Sequence, residues 1–189
     1  MSVTRLTYFV HGTTFDNEAA ISSGWKNVRL SPLGLEQNKA LRKQVEGWHF
    51  DAVYSSDLHR AVATAESLFE SRMKIIYDER LRECNYGQYN GFPSAEVEPL
   101  QERHIHDPFP GGESYEQVKQ RVGAMVQKIR RDHPDGRVAI VSHKAPQLAM
   151  EVLLKGKSWE QAFAEDWRNT GSWQPGWGYR IGDETLLTG

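Results

Sequence analysis

Short apolar runs alternate with segments of helical period along this 189-residue chain, and that alternation restricts its fold more than any other feature. The clearest apolar runs end at Val10, Ser55, Tyr77 and Ser142. Between them, apolar residues recur at the spacing of an amphipathic helix. Strands that alternate with helices favour a mostly parallel sheet with helices on its faces. The sequence therefore predicts an α/β sandwich, and its length fits one domain over residues 1–189.

Local signals mark where several helices begin. The first crossover helix is predicted after Ser31-Pro32, and its apolar positions are Leu33, Leu41 and Val45. Asp57 is a candidate cap for the next helix, and Ser114 begins the most regular amphipathic segment. Residues 81–113 show no sustained period and contain several glycines and prolines, which predicts an irregular segment or lid.

Two of the predicted strands end in histidine. His11 follows one apolar run and His143 follows another, while Arg60 lies just past a third. The carboxyl ends of parallel strands line the ligand crevice of an open sheet, so these side chains are expected to share a pocket. Two imidazoles beside a fixed cation suit phosphoryl transfer through a phosphohistidine. Glu83, at the start of the irregular segment, is a candidate proton donor.

Five segments, in chain order, resemble the histidine phosphatase superfamily, the phosphoglycerate mutase-like group. They are Val10-His11-Gly12-Thr13-Thr14 with Asn17, Ser55-Ser56-Asp57-Leu58-His59-Arg60-Ala61 with Thr64-Ala65, Leu81-Arg82-Glu83 with Gly87 and Gly91, Pro110-Gly111-Gly112-Glu113-Ser114, and Val141-Ser142-His143. The resemblance implies a three-layer α/β/α fold and a phosphohistidine mechanism. It also implies that the short chain is similar to the phosphatase branch, because the mutases of the family are longer.

The resemblance carries roles to individual residues. It implies that His11 is the nucleophile, that Glu83 donates the proton, and that His143 hydrogen-bonds the phosphate. Asn17 and Arg60 are expected to bind the transferred phosphoryl group. Gly12 is expected to let the backbone turn tightly beside the nucleophile.

The chain departs from the family pattern beside both histidines. The family has an arginine immediately before the nucleophile, where this chain has Val10, and commonly a small residue after the second histidine, where it has Lys144. Loss of one preorganised donor costs on the order of 10²–10³ in rate. Lys144 and Arg82 are therefore candidate substitute cations for phosphate binding.

These residues lead us to expect a phosphomonoesterase acting on a small phosphorylated metabolite, with no metal or organic cofactor implied. The alternative is a catalytically weak or inactive phosphate-binding or regulatory protein of the same fold. An oligomeric scaffold is the least favoured interpretation.

Three further features have competing explanations. His104, His106 and Asp107 are spaced closely but lack a fourth partner at a recognised metal-site spacing, and Cys84 is better explained as a buried thiol than as a nucleophile. The tryptophan-rich segment 159–189 favours packing over the core edge, with an aromatic substrate wall or a dimer contact as alternatives. A hairpin is expected about Gly182-Asp183.

Composition limits partners and compartment. The 23 Lys and Arg against 25 Asp and Glu give a net charge of −2, which offers no general attraction to nucleic acid or anionic membrane. The single cysteine fits a reducing compartment, and the amino terminus has no apolar stretch of signal or membrane-spanning length. A cytoplasmic protein, with a homodimer possible, is expected.

Overall fold

A computed structural model describes residues 2–182. The strands are β1 (Val3–Val10), β2 (Ile21–Ser22), β3 (Ala52–Ser55), β4 (Ile75–Tyr77), β5 (Phe92–Pro93), β6 (Arg137–Ser142) and β7 (Trp177–Gly182). Five of them form one sheet in the order β4-β3-β6-β1-β7, and β2 pairs with β5 in a small second sheet.

The central strands are parallel, as the sequence predicts. β1 pairs with β6, β6 with β3, and β3 with β4, all in parallel, whereas β7 runs antiparallel to β1 at the edge. The register places Val10 opposite Ser142, the last residues of β1 and β6. The residue that follows each strand is a histidine, so the register alone brings His11 and His143 side by side.

Helices cover both faces of the main sheet. They are α1 (Phe15–Glu18), α2 (Pro32–Val45), α3 (His59–Phe69), α4 (Ser94–Val97), α5 (Tyr115–Asp132), α6 (Lys144–Lys155), α7 (Trp159–Ala164) and α8 (Trp167–Thr170). Neighbouring residues of a strand point to opposite faces, so Phe9 packs in the core with α2 and α3 while Tyr8 packs in the core with α5 and α6. This is the predicted three-layer α/β/α arrangement. Within residues 2–182, none of the helices combines the length and the apolar character needed to cross a membrane.

Two local predictions are wrong. Asp57 does not cap α3, because the residue at the cap position is Leu58 and no side chain bonds there; the Asp57 carboxylate instead binds Arg82. Leu33 is exposed rather than part of the apolar face of α2, whose buried residues are Gly34, Asn38, Leu41 and Val45. The sequence pattern missed Gly34 and Asn38 because it counts only large apolar side chains as buried, and neither residue has one.

Residues 81–113 are more ordered than an irregular lid. They contain β5, α4 and single 3₁₀ turns at Gly87–Tyr89, Glu98–Leu100 and Glu102–His104. Val97 and Phe109 bury their side chains in the core with α5. At the other end of the chain, β7 supplies the first arm of the predicted hairpin, and residues 183–187 lie outside the described residues.

Candidate active site

A cavity of about 310 Å³ opens where β1, β3 and β6 end. Of the eight residues predicted for the site, the five that line it are His11, Asn17, Arg60, Glu83 and Lys144. Val10, Trp167 and Arg168 also line it. His143 is completely buried next to the cavity floor, with its ring centroid 5.1 Å from that of His11.

His11 is held in one tautomer by its neighbours. Its Nδ1 lies 2.8 Å from the Gly12 carbonyl oxygen, so Nδ1 carries the proton and donates it. Its Nε2 accepts a 3.3 Å hydrogen bond from Arg60 Nε, which requires a free electron pair on Nε2. Burial, as the larger cause, and the positive charge of Arg60 lower the pKa of His11 to about 3. At neutral pH the imidazole is therefore uncharged, with a free electron pair on Nε2.

Arg60 is fixed at the cavity floor. It is buried, and besides its bond to His11 it donates from Nη2 to the Gly24 carbonyl at 2.8 Å and from Nη1 to the Lys26 carbonyl at 3.0 Å. A guanidinium has five N–H groups, so within residues 2–182 two of them remain for a ligand. Its position beside Nε2 suits a phosphoryl group bonded to that nitrogen.

Gly12 allows α2 to pack against the loop that follows His11. A Cβ at Gly12 would lie 2.8 Å from both the Asn38 Oδ1 and the Gly34 carbonyl oxygen. The Gly12 N–H donates to Thr64 Oγ1 at 3.1 Å, and that hydroxyl donates to the Arg60 carbonyl at 2.9 Å. The glycine is thus needed for close approach of a helix, and one threonine joins the His11 loop to the helix that carries Arg60.

His143 is oriented from two sides. The Tyr8 hydroxyl donates to its carbonyl at 2.8 Å, and its Nε2 lies 2.8 Å from Ser56 Oγ. Its Nδ1 is buried and has no hydrogen-bond partner within residues 2–182. Burial, and next the Arg60 charge, lower the pKa of His143 well below its ordinary value. An unpaired polar atom this close to His11 fits the predicted role of contacting a phosphate oxygen.

Glu83 lies against the first turn of α6. Its Oε1 accepts from the backbone N–H groups of Cys84 and Ala145, both at 2.9 Å, and its Oε2 accepts from that of Lys144 at 3.1 Å. Lys144 and Ala145 begin the helix that follows His143. The predicted acid is thus held by the two residues that directly follow His143.

Sequence reasoning missed the residue that fixes the segment carrying Glu83. Arg121 of α5 donates to the carbonyl oxygens of Arg80, Arg82 and Glu83 at 2.8, 2.7 and 2.9 Å, and its Nε lies 2.7 Å from the Glu113 carboxylate. No sequence pattern marks Arg121, because its partners are mostly backbone atoms about 40 positions away. Arg121 positions the segment that carries Glu83 and does not line the cavity.

Of the two other predicted phosphate ligands, Asn17 and Arg82, the first lines the cavity and the second does not. Asn17 lines the cavity, and its Oδ1 accepts from the Thr14 backbone N–H at 3.0 Å, which leaves the amide NH₂ for a ligand within the described part of the chain. Arg82 is not a lining residue, because its guanidinium binds both oxygens of Asp57 at 2.7 and 2.5 Å and stacks 4.8 Å from the Trp25 ring. The prediction that Arg82 binds phosphate is therefore not supported by the geometry.

Lys144 does line the cavity, but two carboxylates compete for its charge. Its Nζ lies 3.5 Å from Glu98 and 3.7 Å from Asp166.

The remaining features are mostly structural. His104 is stacked on Phe109 at 4.0 Å and bonds through Nδ1 to the Asp107 carbonyl at 2.9 Å, and no group of His, Cys, Asp or Glu in residues 2–182 is arranged to hold a metal. Cys84 is buried, and burial raises the pKa of its thiol, as expected for a structural cysteine.

The tryptophan-rich segment divides by position. Trp159 and Trp177 are buried, as the packing interpretation predicts. Trp167 stacks on Trp177 with ring centroids 5.3 Å apart and forms part of the cavity wall, and Trp173 is exposed. The segment thus supplies both core packing and an aromatic wall.

Comparisons with known proteins agree with this geometry. A family model described as the histidine phosphatase superfamily (branch 1) matches residues 8–174. Phosphoserine phosphatase 1 of Hydrogenobacter thermophilus is 31% identical over 161 residues, a match that covers 80% of this chain and 76% of that protein. A 2,3-bisphosphoglycerate-dependent phosphoglycerate mutase of Cytophaga hutchinsonii is 34% identical over 158 residues, covering 77% of this chain and 74% of the mutase.

Among solved structures, mycobacterial glucosyl-3-phosphoglycerate phosphatase in complex with VO3 matches with a TM-score of 0.76. The two are 28% identical, and the match covers 85% of this chain and 86% of that one.

Proposed function

Because this chain belongs to branch 1 of the histidine phosphatase superfamily, we propose that it hydrolyses the phosphate monoester of a small metabolite through a phosphohistidine on His11. The observation that carries the proposal is the state of His11. Its Nδ1–H is fixed on the Gly12 carbonyl and its Nε2 faces Arg60 with a free electron pair. That is the arrangement a nitrogen nucleophile needs beside a fixed cation.

In the first step, Nε2 of His11 attacks phosphorus and the bond from phosphorus to the ester oxygen breaks. The protonated carboxyl of Glu83 gives its proton to the leaving oxygen, so the alcohol departs uncharged. Arg60 and the Asn17 amide offset the charge on the equatorial phosphoryl oxygens. Nδ1 of His143 contacts one of those oxygens.

In the second step, water attacks the phosphohistidine. The Glu83 carboxylate takes a proton from that water, the N–P bond breaks, and inorganic phosphate leaves with Nε2 unprotonated again. The acid of the first step is the base of the second, so one carboxyl at the cavity wall serves both.

Hydrolysis is favoured over phosphoryl transfer to a second alcohol, although the matched relatives include a mutase. The support comes from the phosphatases among its matches, which include the two described above.

One observation favours a second candidate function. Val10 places an uncharged side chain where the family pattern has arginine, and loss of a donor there lowers the rate on the order of 10²–10³. The alternative is a protein that binds phosphate or a phosphorylated partner with little or no catalysis.

The deciding experiment compares wild type with His11→Ala on a generic aryl phosphate, measuring release of inorganic phosphate without added metal. We expect activity in wild type, loss of at least 10³-fold in the variant, and acid-labile phosphate on wild type trapped by acid quench. Equal, near-zero rates in both proteins, with phosphate still bound, would instead support the phosphate-binding alternative.

A further inference from the structure

The cavity wall beside Val10 obtains its charge from a distant part of the chain. Among the described residues, the cations that line the cavity are Arg60, Lys144 and Arg168. Arg168 belongs to α8, far along the chain from His11, and lines the same cavity as Val10. The segment that the sequence marks only as tryptophan-rich therefore delivers a guanidinium to the cavity that His11 lines.

The Arg168 side chain is fixed by neighbouring side chains, as in arginines that bind ligands, and is not a freely solvated surface group. Its Nη1 donates to Asp166 Oδ1 at 2.9 Å and to Gln147 Oε1 at 3.4 Å, and both partners are buried. Its guanidinium carbon lies 4.4 Å from the centre of the Trp167 ring. Arg's planar group loses little further freedom when it is already stacked and bonded.

The bonding pattern leaves donors for a ligand. Both side-chain hydrogen bonds of Arg168 use Nη1, so within residues 2–182 Nε and Nη2 remain available. The charge also acts at the nucleophile, because Arg168 contributes, after burial and Arg60, to lowering the pKa of His11.

Lys144 is the less suitable cation at this wall. Its ammonium is close to both Glu98 and Asp166, so two carboxylates offset one charge. Among the described residues, Asp166 is the one carboxylate that pairs with Arg168. The planar guanidinium of Arg168 also matches the paired oxygens of a phosphoryl group.

We propose that Arg168 binds the phosphoryl group at His11 and replaces the cation that residue 10 does not supply. The proposal deepens the proposed function and rests on it, since it concerns the same phosphoryl group. Asp166, Gln147 and Trp167 position the guanidinium by the contacts given above.

The test uses Arg168→Gln, Arg168→Lys, Val10→Arg and the double variant Val10→Arg/Arg168→Gln. Val10 also lines a second cavity, of about 560 Å³. For each protein we would measure the dissociation constants of vanadate and inorganic phosphate by calorimetry, and kcat/KM on an aryl phosphate. Arg131→Gln, an exposed site on α5, is the control for loss of one positive charge.

Arg168→Gln is expected to weaken phosphate and vanadate binding and to lower kcat/KM by about 10²-fold. Arg168→Lys is expected to keep part of both, and Val10→Arg is expected to restore at least tenfold of the loss in the Arg168→Gln protein. The control is expected to match wild type.

Unchanged phosphate affinity and kcat/KM in Arg168→Gln would overturn the proposal. It would also be overturned if Arg168→Gln were folded and impaired but Val10→Arg failed to rescue it, since Arg168 would then act only by packing on Trp167. If Arg168→Gln did not fold, Arg168→Lys would decide, with wild-type affinity counting against the proposal.

The two proposals fail in different ways. If wild type showed no His11-dependent hydrolysis, the phosphatase proposal would fail, but weaker vanadate binding by Arg168→Gln would still support Arg168 as a phosphoryl ligand.

Discussion

At the residue scale, the site depends on keeping one imidazole neutral. A histidine that donates to a carbonyl from one nitrogen and accepts from an arginine at the other has no place for a second proton. Protonation of Nε2 would set a positive charge against Arg60. His11 is therefore expected to stay neutral across the physiological pH range, with the Gly12 carbonyl as the partner of its Nδ1.

The pKa of His11 is a direct prediction. We expect its Cε1–H resonance to stay at the neutral position from pH 8 down to about 5, because the pKa is lowered to about 3. The signal is assigned by its loss in His11→Gln, and NMR titration is the measurement. The same resonance in urea-unfolded protein is the reference and should titrate near 6.5. A native midpoint near 6.5 would contradict the assignment of a neutral, enclosed imidazole.

At the element scale, the first turn of α2 is packed directly against the backbone of the loop that follows His11. The Ser31 N–H donates to the Thr13 carbonyl at 3.0 Å, and the Ser31 hydroxyl accepts from the Gly34 N–H at 3.3 Å. A Cβ on Gly34 would lie only 2.0 Å from the Thr13 carbonyl oxygen. Backbone meets backbone here, so no rotation of a side chain can relieve the contact.

Gly34→Ala is therefore expected to be harmful although alanine is the better helix former. We expect a loss of about 1–3 kcal/mol in the free energy of unfolding from overpacking, and a fall of about 10- to 100-fold in kcat/KM from displacement of the His11 loop. Urea unfolding and aryl phosphate hydrolysis measure the two effects.

Gly47→Ala is the matched control, because a Cβ there meets nothing within 4 Å. Its stability should stay within about 0.5 kcal/mol of wild type. Equal behaviour of the two variants would show that the α2 contact does not constrain the loop.

Most elements of the central sheet were predictable because their residues carry the information locally. β3 and β6 are short apolar runs buried on both faces, and Ser114 bonds back to the first turn of α5 as a cap should. The errors came from tertiary competition. Asp57 looked like a cap, but a guanidinium from another segment binds it more strongly than a helix terminus would.

At the scale of the whole molecule, the pairing of the two histidines was predictable and the position of Arg168 was not. Parallel strand ends meet by a general rule of α/β sheets, so two histidines at strand ends suffice for the inference. Arg168 reaches the cavity because β7 returns antiparallel along β1 and Trp177 stacks under Trp167. Nothing in the sequence of that segment specifies the strand beside which it folds.

The support that β7 gives to the cavity wall can be tested by substituting Trp177 and, as a control, Trp173. Trp177→Ala is expected to lower the free energy of unfolding by about 3–5 kcal/mol, because it empties a buried site. It is also expected to weaken vanadate binding, because Trp167, on which Arg168 stacks, loses the ring that it packs against. Trp173→Ala, at a half-exposed position, should change stability by less than about 1 kcal/mol. Vanadate affinity unaltered by Trp177→Ala would show that the strand does not support the cavity.

The bonds that hold Glu83 have a consequence for how such a site can diversify. Two of its three hydrogen bonds come from the main chain of residues 144 and 145, and every amino acid except proline has the N–H group they require. These two hydrogen bonds to Glu83 therefore do not depend on the side chain at position 144, which borders the cavity. The side chain that borders the cavity at that position can therefore change by substitution alone, with Glu83 left in place.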